Sequence, residues 1–412
     1  MTPPAARSDA YAAGPLAGIR VLDLSTMLAG PYGATLLGDL GADVVKVESH
    51  QGDDSRHLGA EKLGERTPFL ALNRNKRAIV LDLAKPAAQG VFARLVKTSD
   101  ALVTNVREPA LSRLAIDYES VSRHRPDLIW VGVTAFGPDG PYAGRPGIDF
   151  LAQGYAGLIA GNGDPSAPAV RVTAPLVDVM TSMCVATGIL AALRVRDATG
   201  QGQRIDLSLL DVLTHAQATV LQSYLLAGEV VPRTGNRSHF FAPSGVYECG
   251  DGRSLCLTCP SEKFFRNLCR ALGVAWSDDP RFARIADRLE NQDELDRLIS
   301  ARCKDFSRDE LLEKIIAADM LAAPVSEIPD VVCDPQIRHN DMIVKTEHAT
   351  LGPLEVTGVP IKLRGTPGSV RRAPPVQGQH TRELLVELGY AKGEIAHLMD
   401  SGDVAGPKDR RQ

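Results

Sequence analysis

The stretch Gly18–Glu48 constrains the fold more than any other part of the chain. Ile19, Val21 and Leu22 lead into Asp23. A loop over Ser25–Gly33 and a helix-like run over Ala34–Leu40 follow. Gly41 punctuates, and Ala42–Glu48 is a second apolar run. This rhythm predicts strand–helix–strand with short links, which means two parallel strands and a right-handed crossover. Parallel strands are buried on both faces, so helices must cover both sides of the sheet. The alternation continues with a strand over 78–83, a helix over 87–97 and strands over 101–104 and 128–133. The first ~200 residues therefore predict an open α/β sheet.

From Asp149 the character changes. Residues 149–160 and 175–196 read as apolar helices split by a Gly/Pro/Asp loop, 204–207 as one more strand and 209–226 as another helix. The breaker cluster Pro232–Asn236 marks a boundary. Residues 245–260 alternate like a hairpin around Gly250-Asp251-Gly252. Short charged helices run to Ala322. Short strands at 342–347 and 354–356, a Pro374-Pro375 stretch and a closing helix over 381–388 complete the chain.

A length of 412 residues fits two or three domains. The expected division is a loose tail over 1–15, an α/β domain over 16–230, a small α+β domain over 231–344 and a segment over 345–412 that returns to the large domain. Basic and acidic side chains number 46 and 50, so no positive field exists to hold nucleic acid. Seven cysteines, an odd number scattered through the chain, predict reduced thiols and a cytoplasmic setting. The longest apolar run, Leu176–Val195, is interrupted by Asp178 and Arg194, which argues against a membrane span.

Several clusters invite chemistry. Leu28-Ala29-Gly30-Pro31-Tyr32-Gly33, with Glu48 closing the second strand, resembles part of a dinucleotide loop. The register G-x-G-x-x-G needs a glycine where Leu28 stands, so the alternatives are a plain tight turn or another ligand at this helix start. Cys256 and Cys259 have C-x-x-C spacing, but no second pair completes four zinc ligands, and buried inert thiols are the expectation. No metal is expected. Asn73-Arg74-Asn75-Lys76-Arg77 is either a solvated basic surface or part of a phosphate site. No nucleophile elbow or H-E-x-x-H spacing occurs. Asp178, three residues after Pro175, falls in a helical first turn followed by Met180, Met183, Cys184 and Ala186. Such a carboxylate either satisfies the helix N–H groups or acts as a desolvated nucleophile.

These residues together resemble a class III CoA-transferase. The resemblance rests on Gly18–Leu24, Ala29-Gly30-Pro31, Gly38–Glu48, Gly52–Arg56, Asn73–Arg77 and Gly154–Gly157. Thr199–Gln203, Arg233–Asn236, Pro374-Pro375 and Gly378–Thr381 continue it in the same order from about residue 16 onward. It implies a Rossmann-like large domain built from both chain ends, a smaller domain and an interlocked homodimer. It further implies Asp178 as the nucleophile, with Asp149 beside it. Ala29, Gly30, Asn73, Lys76, Asn105 and Arg113 would hold CoA, and Leu28, Arg237 and His239 would face the acid. CoA and its thioesters would be substrates, a small carboxylic or dicarboxylic acid the acceptor, and no cofactor tightly bound. Nucleic acid and membrane are not expected partners.

The same scaffold carries α-methylacyl-CoA racemases, whose second proton carrier is a His in a G-H-D segment. Here the segment is Gly147-Ile148-Asp149, which disfavours a racemase. A non-catalytic CoA-binding protein is the other alternative. Val106 stands where an aromatic often follows the asparagine, and Ser49 where relatives place an arginine. Leu28 stands where oxalate-using relatives have a glutamine.

Overall fold

The computed structural model describes residues 14–407. The expected tail lies outside the described residues up to position 13, and Gly14 is buried with a left-handed φ of 121°. A side chain there would strike the Leu40 carbonyl 2.3 Å away, so only glycine fits. The chain divides into two compact units. The larger takes the chain up to Ala156, Thr173–Ala218 and everything from Pro335, and the smaller takes Gly157–Val172 and Thr219–Asp334.

The larger unit is built on seven strands: β1 (Arg20–Asp23), β2 (Asp43–Glu48), β3 (Lys76–Leu81), β4 (Ala101–Thr104), β5 (Ile129–Thr134), β6 (Gln203–Ser208) and β7 (Val404–Ala405). Their order is β7-β3-β2-β1-β4-β5-β6. Neighbours are parallel throughout, except that β7 runs antiparallel against β3. From β3 to β6 this is the 3-2-1-4-5-6 order of a doubly wound sheet, whose strand order reverses between β1 and β4. Every residue of β3 is buried, as expected of a strand covered on both faces. Helix α1 (Ala29–Asp39) covers one face. On the other, Val91, Phe92 and Leu95 of α2 (Pro86–Lys97) pack with Leu22, Val45, Ile79 and Leu102. Each such side chain contributes about 1.5–3 kcal/mol of burial.

Helix α1 starts at Ala29, five residues before the expected Ala34, which moves the G-x-x-G from a loop into the helix. Its glycines serve close packing. A Cβ on Gly30 would lie 2.3 Å from Ser25 Oγ, and one on Gly33 would lie 2.7 Å from Val185 Cβ. Val185 belongs to α4 (Leu176–Thr199), the long apolar helix. By length and composition alone α4 could cross a membrane, contrary to the sequence expectation. One of its faces, with Val177, Thr181, Val185, Ile189 and Ala192, is buried in the larger unit, as in the core helix of a globular domain. Two shorter helices flank it, α3 (Asp149–Tyr155) and α5 (Leu209–Ala216). The expected helix over 209–226 divides at Gln217. A hairpin, Ile343–His348 with Gly352–Thr357, and two closing helices, α6 (Thr381–Glu387) and α7 (Lys392–Asp400), complete this unit.

In the smaller unit, strands Ser244–Glu248, Ser254–Thr258 and Leu321–Pro324 form an antiparallel sheet. Helices Glu262–Leu272, Gln292–Cys303 and Arg308–Ala317 pack on it through Phe265, Ile299 and Leu311. Along the second strand burial alternates, so half-buried Cys256 and buried Cys259 fall on opposite faces. Burial raises the Cys259 thiol to about 12.

Candidate active site at the strand ends and helix starts

The loop after β1 is fixed from below by buried charges. Lys76 donates to Asp23 Oδ2, Asn73 Oδ1 and the Pro31 carbonyl, each at 2.7 Å. Lys46 pairs with Asp53 at 2.7 Å and with Asp23 at 3.4 Å, and also donates to the Ser25 carbonyl. Burial alone would raise Asp23, but Lys46 and Lys76 outweigh it and hold the carboxyl low. Burial lowers Lys76 to about 8. From above, Asn105 clamps the loop, accepting from Thr26 N at 2.9 Å and donating to Thr26 O at 2.8 Å. Asp53 accepts from Met27 N at 3.2 Å. The loop therefore delivers Leu28 and the first turn of α1 in one arrangement. No side chain caps α1, so its first-turn N–H groups form a positive end.

The first turn of α4 lies against it. Ser182 Oγ is 2.8 Å from both the Ala29 and the Asp178 carbonyls, so its single hydrogen joins the two helix starts. Pro175 is the residue before α4, whose first helical position is Leu176. The N–H groups of Val177 and Asp178 donate to Asp149 Oδ2, at 2.8 and 3.2 Å. Asp149 Oδ1 in turn accepts from Gln153 Nε2 at 2.6 Å. Asp149, one helix away in the sequence, thus serves these helix N–H groups in place of the Asp178 carboxyl. Burial, reinforced by the Asp149 charge, raises Asp178 to about 7. Near neutral pH this half-buried carboxyl is therefore divided between its protonated and charged forms.

A cleft of about 320 Å³ opens at the carboxyl ends of β1, β2 and β3. Leu24, Leu83, Val106, Leu114 and Ile116 give it apolar walls, and Ser49–Asp53 a polar rim. It is the crevice where open α/β sheets bind ligands, beside the switch point.

The other expected site residues fall in several places. Leu28, half-buried, is the residue before α1, and Ala29 and Gly30 are buried in its first turn. Asn73 and Lys76 are fully buried behind that turn. The whole Asn73–Arg77 cluster is interior rather than a solvated surface: Arg74 pairs with Asp39 at 2.6 Å, and Arg77 with Asp43 at 2.6 Å and Glu383 at 2.8 Å. Glu48, the acid a dinucleotide reading needs, is held by Arg56 at 2.7 and 2.9 Å. Arg113 is exposed at the end of the short helix Ala110–Arg113. Arg237 and His239 belong to the smaller unit, where Arg237 is paired with Asp293 at 2.7 Å and Asp296 at 2.8 Å. His239 is exposed.

Sequence reasoning missed Ser182, Gln153 and the Lys46–Asp53 pair. Ser182 and Gln153 each stand four residues after a singled-out aspartate, a spacing that places them on the same helix face.

The sequence pattern of CoA-transferase family III matches residues 16–381. A succinate–glutarate CoA-transferase of Agrobacterium fabrum is 34% identical over 383 residues, covering 91% of this chain and 96% of that protein. The β subunit of a succinyl-CoA–L-malate CoA-transferase of Chloroflexus aurantiacus is also 34% identical, over 391 residues, covering 93% and 96%. The crystal structure of a CAIB/BAIF family protein from Brucella suis superposes with a TM-score of 0.84 at 32% identity, covering 91% of this chain and 99% of that one. A doubly wound sheet with a cleft at its switch point, a raised aspartate beside a helix start and these relatives agree: the chain belongs to CoA-transferase family III.

Proposed function

We propose that this enzyme moves CoA between small dicarboxylates, with Asp178 as the covalent nucleophile. The observation that carries the reading is the isolation of Asp178. Its helix N–H groups are served by Asp149, and burial raises its carboxyl to about 7. Succinate, glutarate and malate in the names of the relatives support dicarboxylates as both donor and acceptor.

In this reading the ionised Asp178 oxygen attacks the donor thioester carbonyl. The C–S bond breaks, CoA leaves as thiolate, and a mixed anhydride remains. The thiolate then attacks the Asp178 carbonyl carbon, expelling the donor acid as its carboxylate and leaving an aspartyl-CoA thioester. The acceptor carboxylate attacks that thioester, the thiolate leaves again, and its return to the acyl carbon releases Asp178 with the new acyl-CoA. No proton is consumed, so the site needs no proton carrier on carbon. The first turn of α1 faces the developing charges with its N–H groups. Ala29, Gly30, Asn105 and Arg113 lie along the bound CoA, whose adenine enters the cleft beside Val106. Asn73 and Lys76 act from behind by holding the α1 start. Leu28 shapes the acid end.

The enzyme works as an interlocked homodimer in the cytoplasm, with a Rossmann-like domain per subunit and no tightly bound cofactor. Exposed apolar residues of α4, Met183 and Leu190 among them, support a covering partner. A racemase finds no support at Ile148, an aliphatic side chain.

The test is Asp178→Ala with succinyl-CoA and glutarate, read by mass spectrometry. Loss of glutaryl-CoA formation, together with a trapped adduct on the wild-type peptide containing Asp178, is expected. A folded Ala variant that keeps substantial transfer would overturn the mechanism.

A further inference from the structure

At the opposite end of β3 from the cleft lies a second pocket, of about 290 Å³. The cleft is lined by Leu81, the last residue of β3, and this pocket by Lys76, the first. At about 3.3 Å per residue the two ends are roughly 17 Å apart. The pocket is walled by Thr346 and Glu347 of the hairpin and by Arg371, Arg372, Gln379 and His380 of the segment before α6.

Its side chains are nearly all donors. His380 Nδ1 accepts from Ala78 N at 3.1 Å, so a neutral ring carries its hydrogen on Nε2. Gln379 Oε1 accepts from Val376 N at 2.9 Å, which leaves its amide hydrogens. Arg371 reaches the Gly38 carbonyl at 2.6 Å and still brings its full charge. Arg372 is tied down only through its backbone, with N donating to Asn75 Oδ1 at 3.0 Å, and its guanidinium makes no hydrogen bond or ion pair among the described residues. Glu347 is the only acid in the lining. Burial lowers both Arg371 and His380; Asp39 offsets this for Arg371 and Glu383 for His380, while the Arg372 charge lowers both.

We propose that this pocket is a binding site for a phosphate-type dianion, at the far end of β3 from the cleft. Two guanidinium groups, an imidazole N–H, an amide and a hydroxyl offer more donors than one carboxylate can accept. A tetrahedral dianion can use them together. The bound anion would tie the 371–380 segment to the hairpin, and through Asn75 and Arg371 to the C-terminal end of α1.

Thermal unfolding and calorimetry at constant ionic strength, with inorganic phosphate against chloride, test this on the full chain and on Arg372→Gln. The wild type should bind phosphate saturably and gain several degrees in Tm. Arg372→Gln should lose at least tenfold in phosphate affinity while keeping the CoA-transfer rate measured without phosphate. Phosphate affinity should be unchanged by saturating CoA, because the cleft is elsewhere. An equal response in Arg372→Gln, displacement by CoA, or a phosphate effect no larger than that of chloride would each overturn the assignment. So would succinate binding as tightly as phosphate.

Discussion

In the proposed mechanism Asp178 and Asp149 divide two tasks that one carboxylate cannot perform together. A group that accepts helix N–H bonds is stabilised as an anion and becomes a weak nucleophile. A group kept from those bonds by burial is reactive but destabilises the fold when charged. The unfolded carboxyl titrates near 3.8 and the folded one near 7. Below about pH 4 both states are protonated and no penalty exists. The penalty grows as pH climbs from 4 to 7 and is complete above 7. Asp178→Asn should therefore melt several degrees above wild type at pH 8, with the difference vanishing near pH 4, while transfer is lost. Equal melting at pH 8 would contradict the desolvated carboxylate. In the wild type, kcat/KM should rise with pH through about 7, because only the ionised group attacks. Asp149→Asn keeps an oxygen for the α4 N–H groups but removes the charge. Its acid limb should move to lower pH, though not back to 3.8, since burial is the larger cause of the shift. An unmoved limb would deny the coupling between the two residues.

At the scale of elements, the site depends on how closely α1 and α4 approach. Gly33 permits this, with Val185 Cβ 2.7 Å and the Ser182 carbonyl 3.0 Å from where its Cβ would stand. Gly33→Ala should cost about 1–3 kcal/mol in urea unfolding and lower kcat by moving Ser182 from Ala29. Adding Val185→Ala should restore part of both. The sequence made the sheet legible because β1, β2 and the run into β3 are short apolar segments with glycine punctuation, and these patterns are local. It placed the start of α1 too late because Ala29-Gly30-Pro31 reads as a turn, and nothing local reports that a second helix lies against it. The Asn73–Arg77 run reads as polar surface for the same reason. Its partners Asp23, Asp39, Asp43 and Glu383 lie far away in sequence. Asp178 was visible as a choice between two roles, and the helix N–H groups that would fix one of them are taken by Asp149, a residue 29 positions earlier.

At the scale of the whole molecule, apolar surface remains to be covered. Met183 is 52% exposed and Leu190 38%, on one face of α4. Helix Ala218–Ala227 buries none of its residues, and its Leu225 and Leu226 are 74% and 81% exposed. A helix that apolar is not stable facing water on every side. Sedimentation should therefore find a dimer at micromolar concentration. Met183→Glu with Leu190→Glu should weaken it and reduce transfer, while the circular dichroism of the sheet persists. A monodisperse, active wild-type monomer would refute the interlocked assembly.

The small antiparallel strand β7 has a consequence for how the molecule is made. It closes the edge of the sheet at β3, pairing Val404 with Leu81 and Ala405 with Val80. During synthesis β3 leaves the ribosome roughly 320 residues ahead of its cover, about 15–60 s at ordinary elongation rates. Throughout that interval its edge is open to any passing strand. A chain cut short between Asp334 and Val404 would carry a complete smaller unit and a sheet still able to recruit its neighbours.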